Sequence, residues 1–294
     1  MRFGNIDAHR IADMEHVQLP PARGFPDLAP DLAPDALREH AQRLGSHMVD
    51  PDTLNLLISF HTYVVRTGGR TILVDTCVGN DKDRPRRAEW HRRQAGFLDS
   101  LRAVGVRPED VDVVMCTHLH ADHVGWNTRL VNGKWVPTFP NARYLMAETE
   151  YRYLAEQVRR HGPDVFHGCY ADSVLPVVES GQAEMAATDH RVEAGIHTEW
   201  APGHTPGSVL IHIEDGGGHG ICTGDLIHHP FQLACPHLPT SYCTEPAQAA
   251  ARRVAFCEQY ADTATRVLTA HFPAPSAGRI VRDGSAYAFV FDAA

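Results

Sequence analysis

Four side chains that can bind a metal ion lie within six consecutive positions of the sequence. His118, His120, Asp122 and His123 form the pattern H-x-H-x-D-H directly after the apolar run 111–116. An isolated histidine is usually a surface or core residue, but four such groups on one buried loop would leave several polar atoms without partners. A divalent cation supplies the missing partner, and zinc accepts both imidazole and carboxylate ligands. This loop is therefore predicted to bind metal.

The spacing of the four residues suggests how many ions the loop serves. In an extended backbone, His118 and His120 project to the same side. Asp122 and His123 follow where the loop turns toward the next helix, so they can face a neighbouring point. One short loop can therefore contribute ligands to two adjacent cations.

Three further metal-capable residues lie at turns or strand ends in the C-terminal half of the chain. His204 lies in the Gly/Pro-rich turn PGHTPGS, Asp225 ends the predicted strand ICTGD, and His271 ends the predicted strand RVLTAH. Functional sites of open α/β sheets form at the carboxyl ends of strands. The chain has 20 histidines, an unusually high number that points toward metal binding.

Strands and helices alternate along the chain with short connections, a pattern typical of α/β proteins. The strands are predicted from alternating or continuous apolar runs, and the first two form a hairpin through the Gly68-Gly69 turn. The predicted strands are 56–65, 71–75, 111–116, 142–146, 208–213, 219–223, 266–269, 280–282 and 286–291. The predicted helices are 91–104, 148–160 and 245–260, the last with Thr244 as its N-cap.

A proline-rich segment covers residues 19–35. Its five prolines oppose a regular helix or a central strand. The segment is predicted to be either a surface connection or a lid over a pocket, where it would exclude water.

Composition indicates a globular protein and excludes several functions. The 294 residues are 43% hydrophobic and 21% charged, and the formal net charge is −9. An acidic chain repels a phosphate backbone, so no nucleic-acid partner is expected. No run approaches the roughly 20 apolar residues of a membrane span, and residues 1–17 lack the apolar region of a signal peptide. We expect a cytoplasmic protein without a membrane partner, in which the seven cysteines are reduced.

Taken together, the motifs resemble those of the metallo-β-lactamase superfamily. The blocks H-x-H-x-D-H, GHTPG, TGD and AH occur in the family's order and cover most of the chain. The resemblance implies an α/β fold, a four-layer αβ/βα sandwich, as a single domain over 1–294. That domain would have two similar halves, about 1–165 and 166–294. The resemblance also implies that Asp75, which ends the strand TILVD, braces the metal loop as a hydrogen-bond acceptor.

The family pattern further implies two metal sites that share one carboxylate. The implied ligands are His118, His120 and His204 for the first ion, Asp122, His123 and His271 for the second, and Asp225 as the bridge. The cofactors would be two divalent ions, zinc foremost and manganese, iron or cobalt as alternatives. A shared water would ionise to hydroxide and attack a carbonyl carbon, and the ions would stabilise the resulting oxyanion. Catalytic roles are accordingly expected for Asp122, Asp225 and His228.

The resemblance limits the class of small-molecule substrate that is expected. Asp225 disfavours β-lactamase activity, because the true β-lactamases of the superfamily lack a bridging carboxylate. The run GDLIH, 224–228, resembles the lactonase and organophosphate-hydrolase-like branch. A hydrolase that opens a lactone, as quorum-quenching enzymes do, or cleaves a related carboxylic ester is therefore expected. The alternatives are a phosphotriester or aryl-ester hydrolase and a non-catalytic metal-binding protein.

His228 occupies a position where acyl-homoserine lactonases usually carry a tyrosine. Its imidazole could donate a hydrogen bond to the substrate carbonyl or protonate the leaving alkoxide, or it could be an exposed residue without a role. The pocket candidates nearest the motifs are aromatic residues that could equally belong to the core: Trp126, Phe166, Phe231 and Phe272. The family resemblance also allows a homodimer.

Overall fold

The structure is a computed structural model that describes residues 1–26, 34–44 and 46–293, with the backbone alone described at 34–37 and 40. Its strands are β1 (Arg2–Phe3), β2 (Ile6–Leu19), β3 (Leu56–Thr67), β4 (Arg70–Val74), β5 (Val113–Met115), β6 (Thr128–Val131), β7 (Lys134–Pro137), β8 (Arg143–Ala147), β9 (Ala183–Ala186), β10 (Arg191–Glu193), β11 (Ile196–Trp200), β12 (Val209–Asp215), β13 (Gly218–Cys222), β14 (Arg266–Leu268), β15 (Ala277–Asp283) and β16 (Ala286–Phe291).

Its α-helices are α1 (Pro21–Gly24), α2 (Pro34–Leu44), α3 (Phe97–Ala103), α4 (Ala121–Val124), α5 (Glu148–His161), α6 (Leu175–Glu179), α7 (Phe231–Ala234) and α8 (Pro246–Tyr260). Short 3-10 or π turns connect several of them: Pro108–Asp110, Gly125–Asn127, Val165–Gly168, Tyr170–Val174 and Gly224–Leu226. Within the described ranges, none of the helices is long and apolar enough to cross a membrane.

The strands form two seven-stranded mixed sheets and one small hairpin. The first sheet has the order β1-β2-β3-β4-β5-β8-β9, the second runs β10 to β16 in sequence order, and β6 pairs with β7. The first sheet is antiparallel from β1 to β4 and parallel from β4 to β9. The second is antiparallel except where β13 and β14 run parallel. In both sheets, metal-capable residues thus follow strands that have a parallel neighbour.

Residue alternation along the central strands explains the four layers. Val113 of β5 and Ile211 of β12 belong to one apolar cluster between the two sheets. Val114 packs instead in an outer cluster with residues of α3, α5 and α6. Leu210 packs in a second outer cluster with α7 and α8. Because successive side chains of a strand point to opposite faces, each sheet needs a layer on both sides. The expected αβ/βα sandwich is confirmed.

The parallel strands end at one edge of the sandwich. Asp75 follows β4, the loop 117–123 follows β5, Asp225 follows β13, and His271 follows β14. The turn between β11 and β12 carries His204 to the same edge. The fold therefore brings together residues that lie up to 196 positions apart in the chain, from Asp75 to His271.

Two predicted elements differ in the structure. The helix expected over 91–104 begins only at Phe97, because residues 81–93 close on themselves as a loop. In that loop the Arg92 amide donates to the Lys82 carbonyl at 2.8 Å, and Arg92 has a φ of 48°. The N-cap of α8 is Glu245, and its side chain makes no capping bond, so the Thr244 prediction is wrong.

The proline-rich segment 19–35 includes a helical turn, although its prolines were predicted to oppose a regular helix. Helix α1 begins at Pro21, where the missing amide hydrogen of proline is not needed for a helical bond. Strand β2 ends at Leu19, and Leu19 and Arg23 line the cavity described below. Residues 27–33 of the predicted lid lie outside the described residues.

Strand β2 was not predicted from the sequence. Two register shifts interrupt the pairing of β2 with β3, and such bulges break the two-residue apolar period that would reveal a strand. The sheets divide the chain between Ala186 and Arg191, whereas the sequence suggested a boundary near residue 165. The additional strand is β9, which joins the first sheet beside β8.

Gly125 offers a test of the packing behind the metal loop. A Cβ atom there would lie 1.9 Å from the Val78 carbonyl oxygen. The Gly125→Ala variant should therefore lose about 2–3 kcal/mol of unfolding free energy, measured by urea denaturation. The matched control is Gly96→Ala, where the nearest atom to the added Cβ lies 4.0 Å away. Equal stability of the two variants would contradict the packing.

Candidate metal centre

The first group of metal-capable side chains comes from both sheets. Ligand atoms of His118, His120, His204 and Asp225 lie within 4.8 Å of one another. His204 Nε2 is 2.9 Å from His120 Nδ1, and the two rings are inclined by 75°. Nitrogens this close together are within reach of one tetrahedral ion.

The second group lies beside the first and shares Asp225 with it. Ligand atoms of Asp122, His123 and His271 also lie within 4.8 Å of one another. Asp225 Oδ1 is 3.0 Å from His123 Nε2 and 2.9 Å from His271 Nε2. Asp225 Oδ2 is 3.1 Å from His204 Nε2, in the first group. Each oxygen of one carboxylate thus faces a different group, which is the arrangement of a bridging ligand.

Hydrogen bonds behind the histidines fix which ring nitrogen faces the centre. His123 Nδ1 donates to Asp75 Oδ2 at 2.8 Å, and His271 Nδ1 donates to the Ser59 carbonyl at 3.0 Å. Asp75 Oδ1 also accepts from the Thr117 amide at 2.7 Å, so the bracing contact expected of Asp75 is present. With Nδ1 protonated in both rings, the Nε2 lone pairs remain free for a metal ion.

The buried polar atoms test whether a metal fits. Among the described residues, His118 Nε2, His123 Nε2 and Asp225 Oδ1 are buried without a hydrogen-bond partner. Leaving such atoms unpaired is costly, and divalent cations held by the two groups would satisfy them. The donors are imidazole nitrogens and carboxylate oxygens, a set that suits zinc and also manganese, iron or cobalt. The residues present fit a divalent metal site.

The electrostatics of the centre also favour a cation. Burial lowers the pKa of His118 and of His204 well below the usual value, although the Asp225 carboxylate opposes the shift, so both rings are neutral at pH 7. Burial would lower the pKa of His123 too, but the carboxylates of Asp225 and Asp75 outweigh it and raise that pKa well above the usual value. The clustered carboxylates therefore stabilise positive charge here, which a bound ion supplies.

His228 lies at the centre, beside the bridging carboxylate. Its Nε2 is 3.1 Å from Asp225 Oδ2, and its ring stacks on that of His271 at 5.6 Å. The side chain is buried, and neither ring nitrogen has a hydrogen-bond partner within the described ranges. It also lines the cavity over the centre, so it is not the exposed residue considered as an alternative.

A cavity of about 370 Å³ opens over the two groups. Its floor includes Asp122 and Asp225, and much of its wall is apolar, with Phe60, Trp90 and Phe166 among the lining residues. Phe60 and Trp90 contact each other edge to face at 5.4 Å. An apolar chamber above clustered metal ligands suits a small organic substrate with a hydrophobic part.

Of the four pocket candidates proposed from the sequence, Phe166 alone lines this cavity. Trp126 stacks on Phe97 in the outer core of the first sheet. Phe231 and Phe272 belong to the outer core of the second sheet. Closeness to a motif in the sequence did not predict which side chains line the cavity, because the direction of a side chain depends on the turn after each strand. The missed wall residues, such as Trp90 and Tyr242, lie in loops without any motif.

Histidines of the second sheet form a separate cluster on its outer face. His212 Nδ1 lies 3.0 Å from His219 Nε2, with centroids 5.3 Å apart and rings 14° from coplanar. Both nitrogens therefore lie nearly on the line between the centroids, as in an N–H···N hydrogen bond, and do not converge on a third point. His212 Nε2 donates to Glu199 at 2.8 Å, and His219 Nδ1 bonds to Thr265. This geometry is that of a hydrogen-bonded chain.

The family model of the metallo-beta-lactamase superfamily matches residues 61–265. That range covers more than half of the chain and includes the loop 117–123, His204 and Asp225. The chain therefore belongs to the metallo-β-lactamase superfamily.

Curated relatives match over a shorter range. An N-acyl homoserine lactonase of Bacillus sp is 30% identical over 123 residues, which are 41% of this chain and 41% of that protein. The N-acyl homoserine lactonase AttM of Agrobacterium fabrum is 31% identical over 129 residues, 41% of this chain and 43% of AttM. The chain thus spans about two fifths of the length of the curated relatives it matches.

Solved structures resemble the chain over its whole length. The dizinc quorum-quenching lactonase AidC, in complex with a product, has a TM-score of 0.81 at 20% identity, covering 100% of this chain and 97% of AidC. The hydrolase AbOPH of the β-lactamase superfamily has the same TM-score, identity and coverage. At this identity, the likeness establishes the shared fold.

Asp75 should control metal affinity without touching the metal. In the Asp75→Asn variant, an amide would replace the carboxylate that holds His123 and Thr117. We expect zinc affinity to fall by about 10- to 100-fold, measured by titration against a competing chelator.

The control for this titration is Asp99→Asn, at an exposed carboxylate on α3. It should bind zinc like the unmodified protein. Unchanged zinc affinity in Asp75→Asn would show that Asp75 does not orient a ligand.

Proposed function

We propose that the protein is a dinuclear metal-dependent hydrolase that opens a lactone or cleaves a related carboxylic ester. The observation that carries the proposal is the position of Asp225, with one carboxylate oxygen toward each of two histidine groups. The proposed ligands are the seven residues of the two groups: His118, His120, Asp122, His123, His204, Asp225 and His271. Zinc is the proposed metal.

Two observations support a lactone as the substrate class. The curated relatives are N-acyl homoserine lactonases, although they match only part of the chain. The cavity also combines a polar floor with an apolar wall, so it could hold a polar ring over the centre and a hydrocarbon part against Phe60 and Trp90. Two bound divalent ions would supply hydroxide near neutral pH and would polarise the carbonyl group to be attacked.

The residues of this chain supply orientation and proton transfer. His228 faces the cavity beside Asp225, and its unpaired ring nitrogens allow it to donate a hydrogen bond to the substrate carbonyl oxygen. Asp122 also lines the cavity, with its Oδ2 3.8 Å from both His123 Nε2 and His271 Nε2. Its carboxylate is placed to receive the proton released at attack and to return it to the leaving alkoxide.

A substrate panel tests the proposal. The zinc-loaded protein should release protons in weak buffer when given a lactone, because ring opening produces a carboxylic acid. Asp225→Ala should abolish this release, since the two groups lose their shared ligand, and metal analysis and a melting curve establish whether the variant still folds. Turnover of a phosphotriester or an aryl ester with no lactone turnover would favour the alternative suggested by the GDLIH run. No turnover of any substrate with two zinc ions bound would contradict the proposal.

The role of His228 is tested by two substitutions of similar size. His228→Phe removes the hydrogen-bond donor and should lower kcat about 100-fold, as loss of one oxyanion donor does. His228→Gln keeps a donor and should recover part of the activity. Zinc content should stay the same in both variants, because the seven proposed ligands remain. Equal kcat in His228→Phe and the unmodified protein would exclude a catalytic role.

A further inference from the structure

The loop that carries Trp90 concentrates positive charge in a chain that is acidic as a whole. Six of the 27 lysines and arginines lie within residues 82–93, although the formal net charge of the chain is −9. Like charges packed together repel one another unless opposite charges lie nearby. The partner of each basic side chain is therefore informative. The six residues are Lys82, Arg84, Arg86, Arg87, Arg92 and Arg93.

Four of these six side chains have close polar partners, and none of the four lines the cavity over the metal centre. Their contacts join the loop to other parts of the first half or close the loop on itself, so these charges serve the fold. The shortest distances are Arg84–Asp172 at 2.6 Å, Lys82–Thr128 at 2.6 Å, Arg93–Asp13 at 2.7 Å and Arg92–Asp83 at 3.3 Å.

Arg86 and Arg87 differ from the other four in both respects. Both line the cavity, and neither guanidinium has a hydrogen-bond acceptor within the part of the chain that the structure describes. Arg86 is exposed, whereas the side chain of Arg87 is only 14% exposed. A guanidinium carries five N–H donors. Arg87 therefore brings unused donors to the cavity from a position that is largely shielded from water.

The position of Arg87 is fixed by its neighbours. Its guanidinium carbon lies 4.7 Å from the centre of the Trp90 ring and 5.6 Å from that of the Tyr242 ring, and both rings line the cavity. The Arg87 amide donates to the Arg84 carbonyl at 2.8 Å, and the Trp90 amide donates to the Arg87 carbonyl at 2.9 Å. Stacking on aromatic faces leaves the in-plane N–H groups free, and these groups match the geometry of a carboxylate.

Positive charge exceeds negative charge on the wall of the cavity. Apart from the floor, the charged lining residues are Arg23, Arg86, Arg87, Glu89 and Asp164. Glu89 Oε1 is 3.8 Å from Arg87 Nη1 and 3.9 Å from Arg23 Nη1, so it makes a hydrogen bond to neither. Arg23 and Arg86 are exposed while the metal-capable histidines are mostly buried, so this positive region lies toward the mouth of the cavity.

We propose that Arg87, with Arg86 and Arg23 beside it, binds a carboxylate at the end of the substrate that is remote from the reacting carbonyl. The inference rests on the proposed hydrolase function and specifies its substrate class as lactones or esters with an anionic group on their hydrocarbon part. That hydrocarbon would run from the floor to the mouth past Phe60 and Trp90. Arg87 is here a specificity-determining residue, since it touches a part of the substrate that does not react.

The test compares two γ-lactones with tails of equal length, γ-decalactone and its analogue whose tail ends in a carboxylate in place of the methyl group. The unmodified zinc-loaded protein should prefer the carboxylate lactone. Arg87→Met keeps an unbranched side chain against Trp90 but has neither charge nor donor. It should lower the ratio of kcat/KM for the carboxylate lactone to kcat/KM for γ-decalactone by about tenfold, the effect of one charge-assisted hydrogen bond. The loss should appear in KM, because the bound group takes no part in the reaction.

Two further variants complete the comparison. Arg87→Lys keeps the charge but not the planar fork of donors, and it should restore part of the ratio. The control is Arg102→Met, which removes one positive charge from an exposed position on α3 and should leave the ratio unchanged. An unchanged ratio in Arg87→Met, or no preference for the carboxylate lactone in the unmodified protein, would overturn the anion site and leave the hydrolase function standing.

A binding measurement separates the anion site from the hydrolase function. Octane-1-sulfonate has an anionic head on a hydrocarbon chain and no bond that a hydrolase cleaves. Calorimetric titration of the zinc-loaded protein should give a Kd about tenfold higher in Arg87→Met than in the unmodified protein and in Arg102→Met. Equal Kd values in all three would overturn the anion site. Failure of the unmodified protein to open either lactone would overturn the proposed function and the substrate class with it, whatever the sulfonate does.

Discussion

The bridging position of Asp225 is the constraint on which the rest of the site depends. One carboxylate can face two groups of histidines only if strands from both sheets end at the same edge of the sandwich, close to that carboxylate. His123 reaches Asp225 from the first sheet, and His204 and His271 reach it from the second. An unpaired carboxylate in this buried place would be unfavourable, so the histidines and the cation they would bind stabilise the junction of the two halves.

Further contacts hold the two sheets in register at this junction. Glu150 of α5 accepts from the Leu119 amide at 3.2 Å with one oxygen and from the Gly207 amide at 3.0 Å with the other. It thereby ties the metal loop of the first half to the turn that carries His204. The Ser59 amide donates to the His271 carbonyl at 2.8 Å, which fixes the last ligand to strand β3. Each half therefore positions ligands that belong to the other.

The site combines rigidly held metal-capable side chains with loops that shape the cavity above them. The metal-capable side chains extend from strand ends or turns, and backbone or carboxylate partners hold several of them from behind. The cavity wall instead consists of loop residues: the loop that carries Trp90, and the turn at Phe166 and His167, where both residues have a positive φ. The buried Arg84–Asp172 pair joins these two segments. The loops can thus change the shape of the cavity while the geometry of the His/Asp groups stays fixed.

The sequence alone determined the superfamily and the order of the main elements. Residue type and spacing within 118–123 predicted a metal-binding loop, and the later motifs predicted its partners, because these are local properties of short segments. Only the tertiary structure decided that Asp225 faces both groups, that His228 is buried beside it, and that Phe166 lines the cavity while Trp126 does not. Strand β2 and the start of α3 likewise escaped prediction, since bulges and loop hydrogen bonds override the local apolar period. Distances between residues far apart in the chain depend on the packing of two sheets, and no local pattern encodes them.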